Sequence, residues 1–258
     1  MSKTSFEKLV EIMARLRAPD GCPWDREQTF QSITPHTLEE THEVIEAVEK
    51  QDYASLREEL GDLLLQVVFY AQMASEEKLF TIDDVAEAIS QKLIHRHQHV
   101  FGNAKVAGSK EVLENWEQLK KKEGTKKRLL DGLPRSMPAL LRAYRMGEKT
   151  SRVGFDWPNV QGILDKIQEE TRELVEAQTS KNQQHIEDEY GDILFALANL
   201  GRFLKIDPES ALRRASDRYQ QRFEWMEAKL NEQNRADHQL TLKEWDELWK
   251  QAKKDLAR

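Results

Sequence analysis

Apolar residues recur every three or four positions along most of the chain, and the spacing predicts a helix over about Ser5 to Ala18. It stops at "PDGCPWD", where proline and glycine end helical geometry. The same periodicity predicts helices over about Pro35 to Lys50, Tyr53 to Ala74, Ile82 to His97 and Glu111 to Lys122. Residues Gly61 to Ala74 are aliphatic almost all round, the pattern of a segment buried by neighbours on every side.

A shift of 130 positions lays "EETHEVIEA" (Glu39 to Ala47) on "EETRELVEA" (Glu169 to Ala177), with six of nine residues identical. The register then holds, placing "EELGDLLL" on "DEYGDILF". Both copies therefore read E-E-x-x-E, fifteen residues, E-x-G-D. Further on the register drifts, yet Lys92 and Arg96 match Arg218 and Arg222, and Trp116 with Lys120 matches Trp249 with Lys253. Trp245 competes for the match to Trp116. Two copies are too few for a solenoid. The boundary falls in "KKKEGTKKRLLDGLPRS", which gives domains of 1–125 and 126–258, each with four or five helices. "VGFDWPN" (Val153 to Asn159) stands in the second copy where "CPWD" stands in the first.

Composition narrows the class. With 33% charged residues and only 11 Gly and 7 Pro in 258 positions, the chain reads as all-α. No apolar run approaches the roughly 20 residues needed to cross a bilayer, and the start carries no long apolar leader. A cytoplasmic protein is expected, in keeping with the lone Cys22, which rules out an intramolecular disulfide. The net charge of −7 argues against broad binding to nucleic acid or anionic lipid.

The chemistry lies in the carboxylates. Glu39, Glu40 and Glu43 share one side of a helix, where like charges repel. Glu59 and Asp62 sit one turn apart at the entrance of the aliphatic helix, and Glu189 and Asp192 repeat them. Partly buried carboxylates cost several kcal/mol unless compensated. Four or five of them converging call for a metal, and an all-oxygen set suits Mg²⁺, with Mn²⁺ as a substitute. Because Mg²⁺ favours one or two carboxylates plus phosphate oxygens, the cluster suggests a phosphate-bearing ligand. Arg218 and Arg222 suit phosphate oxygens, Lys166 adds a cation, and Trp249 suits a stacked base.

Plainer readings exist for each feature. A glutamate-rich helix is usually a solvated face, paired arginines are often surface ion pairs, and a tryptophan is often core. Recurrence of both acidic pairs at one separation speaks against the first of these. His95, His97 and His99 resemble a metal cluster, but Gln221 and Phe223 oppose the first two in the second copy. Glu39 and His42 form the Glu-x-x-His spacing of di-iron bundles, yet Arg172 replaces His42 in the second copy and cannot ligate iron.

The duplicated E-E-x-x-E and E-x-x-D motifs, with "GCPWD" and "VGFDW", resemble tandem members of the MazG family of nucleoside triphosphate pyrophosphohydrolases over nearly the whole chain. The resemblance implies an all-α homodimer that cleaves NTPs and dNTPs to monophosphate and pyrophosphate with Mg²⁺. It puts metal ligands at Glu170, Glu173, Glu189 and Asp192, and nucleotide contacts at Lys166, Glu169, Arg218, Arg222, Trp249 and Lys253. Glu169, beside the ligands, is in addition the expected residue to orient or deprotonate the attacking water. A second set would comprise Glu39, Glu40, Glu43, Glu59, Asp62, Lys92, Arg96, Trp116 and Lys120. In tandem members the C-terminal copy is usually the catalytic one. His185 departs from the pattern, standing where a lysine is expected. Two rivals remain: a pyrophosphatase narrowed to dUTP, dCTP or phosphoribosyl-ATP, and a nucleotide-sensing helical dimer without turnover.

Overall fold

The computed structural model describes residues 3–104, 106–108, 111–112, 115, 119, 128–180, 182–232 and 240–256, and among them it contains eleven helices and no strand. The chain divides into two compact units, 1–123 and 124–258.

In the first unit, α1 (Ser5–Arg17) starts at Thr4, whose side chain accepts from the Glu7 amide while Glu7 reaches back to the Thr4 amide. This reciprocal cap satisfies two of the helix's orphan donors. The chain then turns at Gly21, where an added Cβ would lie 2.1 Å from the Leu16 carbonyl oxygen, so glycine alone fits. The "CPWD" segment, expected as a turn, forms a five-residue helix α2 (Pro23–Glu27) with proline in its first turn. Next come α3 (Thr34–Lys50) and α4 (Tyr53–Glu76), joined by Gln51 in the left-handed conformation (φ 57°) and by Asp52, which caps α4 through the amides of Ala54 and Ser55. This two-residue link folds α4 back against α3. The unit continues with α5 (Ile82–Arg96) and α6 (Gln98–Phe101).

The core of this unit gathers Met13 from α1, Ile33, and Val68, Phe69 and Met73 from α4, with Leu9, Phe30 and Leu65 around them. Arg17 ties the layers together. Its Nε and Nη2 bond the Glu76 carboxylate at 2.7 to 3.0 Å, its Nη1 bonds the carbonyls of Asp25 and Gln28, and its guanidinium lies over the Phe69 ring.

The second unit repeats the plan with α7 (Ala139–Ser151), α8 (Val160–Ser180), α9 (Gln183–Phe203), α10 (Pro208–Glu232) and α11 (Leu242–Asp255). Packing of α8 on α9 matches that of α3 on α4, and Asn182 caps α9 as Asp52 caps α4. The turn-holding ion pair has changed sides. Here Arg202 of α9 grips Asp156 of the "VGFDW" turn, while Gly147 of α7 packs against the buried Asn199. That turn, with Gly154 at φ +85°, leads directly into α8.

The aliphatic helix is less enclosed than its composition suggests. Val68, Phe69, Ala71 and Met73 of α4 are buried, but Leu60, Leu64 and Val67 are 39 to 49% exposed. The matching face of α9 exposes Tyr190, Leu194 and Leu197. Among the described residues, the expectation of burial all round is therefore not met. The expected helix over Glu111 to Lys122 lies mostly outside the described residues, as does the boundary at 125 and 126.

Candidate functional site

Helical spacing brings Lys166, Glu169, Glu170 and Glu173 to one stripe of α8, and Glu189 and Asp192 to the facing start of α9. The two-turn stripe and the short link between the helices converge the motifs in space. Oxygens of Glu170, Glu189 and Asp192 all lie within 4.8 Å of one another, and so do oxygens of Glu169, Glu170 and Glu173. Glu170, 4% exposed, belongs to both groups. Glu173 and Glu189 are half-buried, whereas Asp192 and Glu169 stand at the surface. The aspartates of both copies are thus more exposed than the sequence reading held.

Two basic groups reach into this cluster from one turn upstream. Lys166 Nζ lies 2.5 Å from Glu170 Oε1 and 2.8 Å from Glu169 Oε1. His185 Nε2 lies 3.0 Å from Glu189 Oε1, and the buried Glu189 Oε2 has no hydrogen-bond partner among the described residues. Titration behaviour follows from these contacts. The Lys166 hydrogen bond holds the Glu170 carboxyl below its usual value despite burial, and hydrogen bonds to Glu169 and then Glu170 push Lys166 up. Glu173 has no basic partner among the described residues: burial raises its carboxyl first, and the charges of Glu170 and Glu189 raise it further.

The first copy assembles the same carboxylates with weaker compensation. Oxygens of Glu40, Glu59 and Asp62 lie within 4.8 Å of one another. Glu40 is raised by burial and by Asp62, and Glu59 by burial and by the exposed Glu43 beside it. His36, at the position matching Lys166, approaches Glu39 at 3.6 Å, and Ser55, matching His185, is engaged with Asp52. A cleft of about 160 Å³ opens beside this cluster between Glu43, Glu59 and Lys50.

The nucleotide-contact residues divide into two groups. Arg222 and Lys253 both lie over the Trp249 ring, at 5.5 and 5.8 Å from its centroid, so α10 and α11 bring these three together. Arg218 is exposed on α10, and among the described residues no ion pair or hydrogen bond joins Arg218 or Arg222 to the acidic cluster. Sequence reasoning missed the aromatic row flanking Trp249. Tyr219 packs on Trp249 at 5.1 Å and stacks along Phe223, which stacks on Trp245. The signal was the four-residue spacing of Tyr219 with Phe223 and of Trp245 with Trp249. In the first copy Lys92 is exposed on α5 and Arg96 ends that helix, while Trp116 and Lys120 lie outside the described residues. His95, His97 and His99 form no three-group metal set among the described residues; the His97 ring bonds the Leu93 carbonyl at a helix break.

The donor chemistry fits a hard divalent cation. All candidate ligand atoms are carboxylate oxygens, and Glu189 Oε2 is a buried acceptor without a hydrogen-bond partner among the described residues.

Comparison with known proteins gives the same reading of the chain's ancestry. The MazG nucleotide pyrophosphohydrolase domain model matches residues 28–101 and again 159–226. The chain is 45% identical over 255 residues to the nucleoside triphosphate pyrophosphohydrolase of Escherichia coli, covering 96% of this chain and 97% of that one. It is 44% identical over 250 residues to the nucleoside triphosphate pyrophosphohydrolase/pyrophosphatase MazG of Thermotoga maritima, covering 96% and 95%. An uncharacterized Bacillus subtilis protein, YabN, is 42% identical over 251 residues, which make up 51% of its length. With its paired acidic helices, matched twice and along nearly its full length, the chain belongs to the MazG nucleotide pyrophosphohydrolase family.

Proposed function

We propose that the protein hydrolyses nucleoside triphosphates, ribo and deoxy, between the α and β phosphates, releasing a monophosphate and pyrophosphate, and that the C-terminal copy does this with Mg²⁺ or Mn²⁺. The observation that carries the reading is the convergence of Glu170, Glu189 and Asp192 oxygens within 4.8 Å around a buried carboxylate and an unpartnered one.

Glu170, Glu173, Glu189 and Asp192 would hold the cation. When bound, such an ion neutralises charge on the triphosphate and lowers the pKa of a coordinated water. The chain's own residues do the rest. His185 fixes one oxygen of Glu189 and so aims the other. Glu169, at the surface beside the ligands, orients the attacking water and accepts its proton. Lys166, Arg218 and Arg222 supply positive charge for phosphate oxygens. Trp249, flanked by Tyr219 and backed by Arg222 and Lys253, offers a base a stacking face. Stacking is tolerant of base identity because every base has a π-face, which favours broad specificity over a pocket reading one base.

A homodimer accompanies this reading. The exposed apolar stripes of α4 and α9 run past Gly61 and Gly191, where an added Cβ would meet nothing within 4 Å. Glycine mid-helix costs about 1 kcal/mol relative to alanine. Its presence at the same position of both copies suits a helix of a second copy approaching closely. No described helix is long and apolar enough to cross a membrane, and a cytoplasmic location fits the activity.

The test is incubation with each NTP and dNTP and Mg²⁺, with products resolved. Monophosphate and pyrophosphate are expected; diphosphate and orthophosphate, or nucleotide held without turnover, would contradict the proposal. Glu170→Gln should lose more than the roughly 10–100-fold typical of outer-sphere partners, while Glu40→Gln retains most activity. Equal losses would refute the assignment to the C-terminal copy.

A further inference from the structure

Among the described residues, only one of the two acidic clusters carries its own ammonium. Lys166 contacts the carboxylate that both ligand groups share, at 2.5 Å from Glu170, and a second one at 2.8 Å from Glu169. Its side chain keeps 39% of its surface, so it has an open path outward, while the Glu170 side chain keeps 5% and has none. At the matching position in the first copy, His36 lies 3.6 Å from Glu39, and among the described residues no ion pair reaches Glu40. A buried carboxylate without a cation is strongly unfavourable, which explains why a metal-free cluster would retain a tethered substitute. The ammonium and a divalent ion both need the Glu170 oxygens, and two cations cannot share them without strong repulsion.

We propose that Lys166 is the resident counter-cation of the metal-free C-terminal site, displaced from Glu170 when a divalent ion enters and kept away by the phosphates of an incoming triphosphate. Metal and triphosphate then bind with positive coupling, because each removes the obstacle to the other: the phosphates draw off the competing ammonium, and the ion occupies the place to which it would return. This rests on the metal-site reading above and adds an order of events to it. The site takes up metal poorly alone and well with nucleotide, so the loaded carboxylate cluster is assembled chiefly when substrate is present. Among its described residues the first copy shows no such device.

The experiment measures Mn²⁺ uptake by electron paramagnetic resonance of the free aquo ion, using the full chain carrying Glu40→Gln and Asp62→Asn so that the C-terminal copy reports. Lys166→Met is added to this parent, with Lys166→Gln as a second variant that can still hydrogen-bond Glu170, and Lys166→Arg as the charge-retaining control. Without nucleotide, Met and Gln should tighten Mn²⁺ binding on the order of fivefold, a modest gain because the lysine is partly solvated, and Arg should stay within about twofold of the parent. A nonhydrolysable α,β-methylene triphosphate should tighten Mn²⁺ binding to the parent and do so far less for Met and Gln. Unchanged or weaker Mn²⁺ binding by both neutral variants, with melting curves like the parent's, would overturn the proposal while leaving the metal site in place. No Mn²⁺ uptake by any of the chains, with or without the analogue, would overturn the metal site itself.

Discussion

Gly147→Ala should destabilise the second unit, against the ordinary benefit of alanine in a helix. The replacement gains about 1 kcal/mol of helix propensity. In the structure, however, the new Cβ would lie 2.0 Å from Asn199 Oδ1, 3.0 Å from its Cγ and 3.2 Å from Arg202 Nε. A comfortable carbon–oxygen contact needs roughly 3.3 Å, so the amide must retreat by more than 1 Å. It has nowhere to go. Asn199 is 1% exposed, its Nδ2 donates to the Phe195 carbonyl at 3.1 Å, and beyond it Arg202 is held by Asp156. Overpacking costs about 1–3 kcal/mol and a lost hydrogen bond about 1 kcal/mol more, leaving a net loss of about 1–3 kcal/mol. For a unit of this size that lowers the unfolding midpoint by roughly 4–10 °C. Differential scanning calorimetry reads it directly. In the Asn199→Ala background only the Arg202 Nε contact at 3.2 Å remains, so the same Gly147→Ala change should stabilise by up to about 1 kcal/mol. A neutral or stabilising Gly147→Ala in the wild-type chain, or an equal penalty in both backgrounds, would refute the reasoning.

Gly61→Ala and Gly191→Ala present the opposite case. If a second copy packs there, light scattering at falling concentration should show weaker dimers; chains stabilised by about 1 kcal/mol with dimerisation unchanged would count against the closing helix. Arg17→Met should cost the first unit about 1–2 kcal/mol at neutral pH, a figure reduced because the Glu76 side chain keeps 36% of its surface. Arg17 holds the Glu76 carboxyl below its ordinary 4.5. The pair's contribution is therefore present above that value and is lost as pH falls through the lower folded value. Urea unfolding followed from neutral pH down to about pH 3 should show a shallower acid loss in Arg17→Met than in the parent; parallel curves would remove this pair from the account.

Much of this protein was legible in the chain. Apolar spacing gave α1, α3, α4 and α5 nearly to the residue, because caps such as Thr4, Asp52 and Thr81 mark where each helix can begin. The duplication located both acidic clusters, since a two-residue link between helices leaves few ways to fold them other than face to face. What the sequence could not order is compensation among like residues. Glu40 and Glu170 occupy matching positions, yet one is raised by burial and then by Asp62, and the other is held down by Lys166 at 2.5 Å. Nor could it show that Asp62 and Asp192 stay exposed while Glu170 is enclosed, or that Tyr219 joins Trp249.

The exchange of the turn-holding arginine from α1 in one unit to α9 in the other is likewise invisible to periodicity. Local sequence determines where a helix starts, stops and turns its apolar side, because those depend on neighbours within four residues. Which charge meets which, and whether a glycine is spare or indispensable, depends on side chains tens of positions away that only the packed helices bring within a few ångströms.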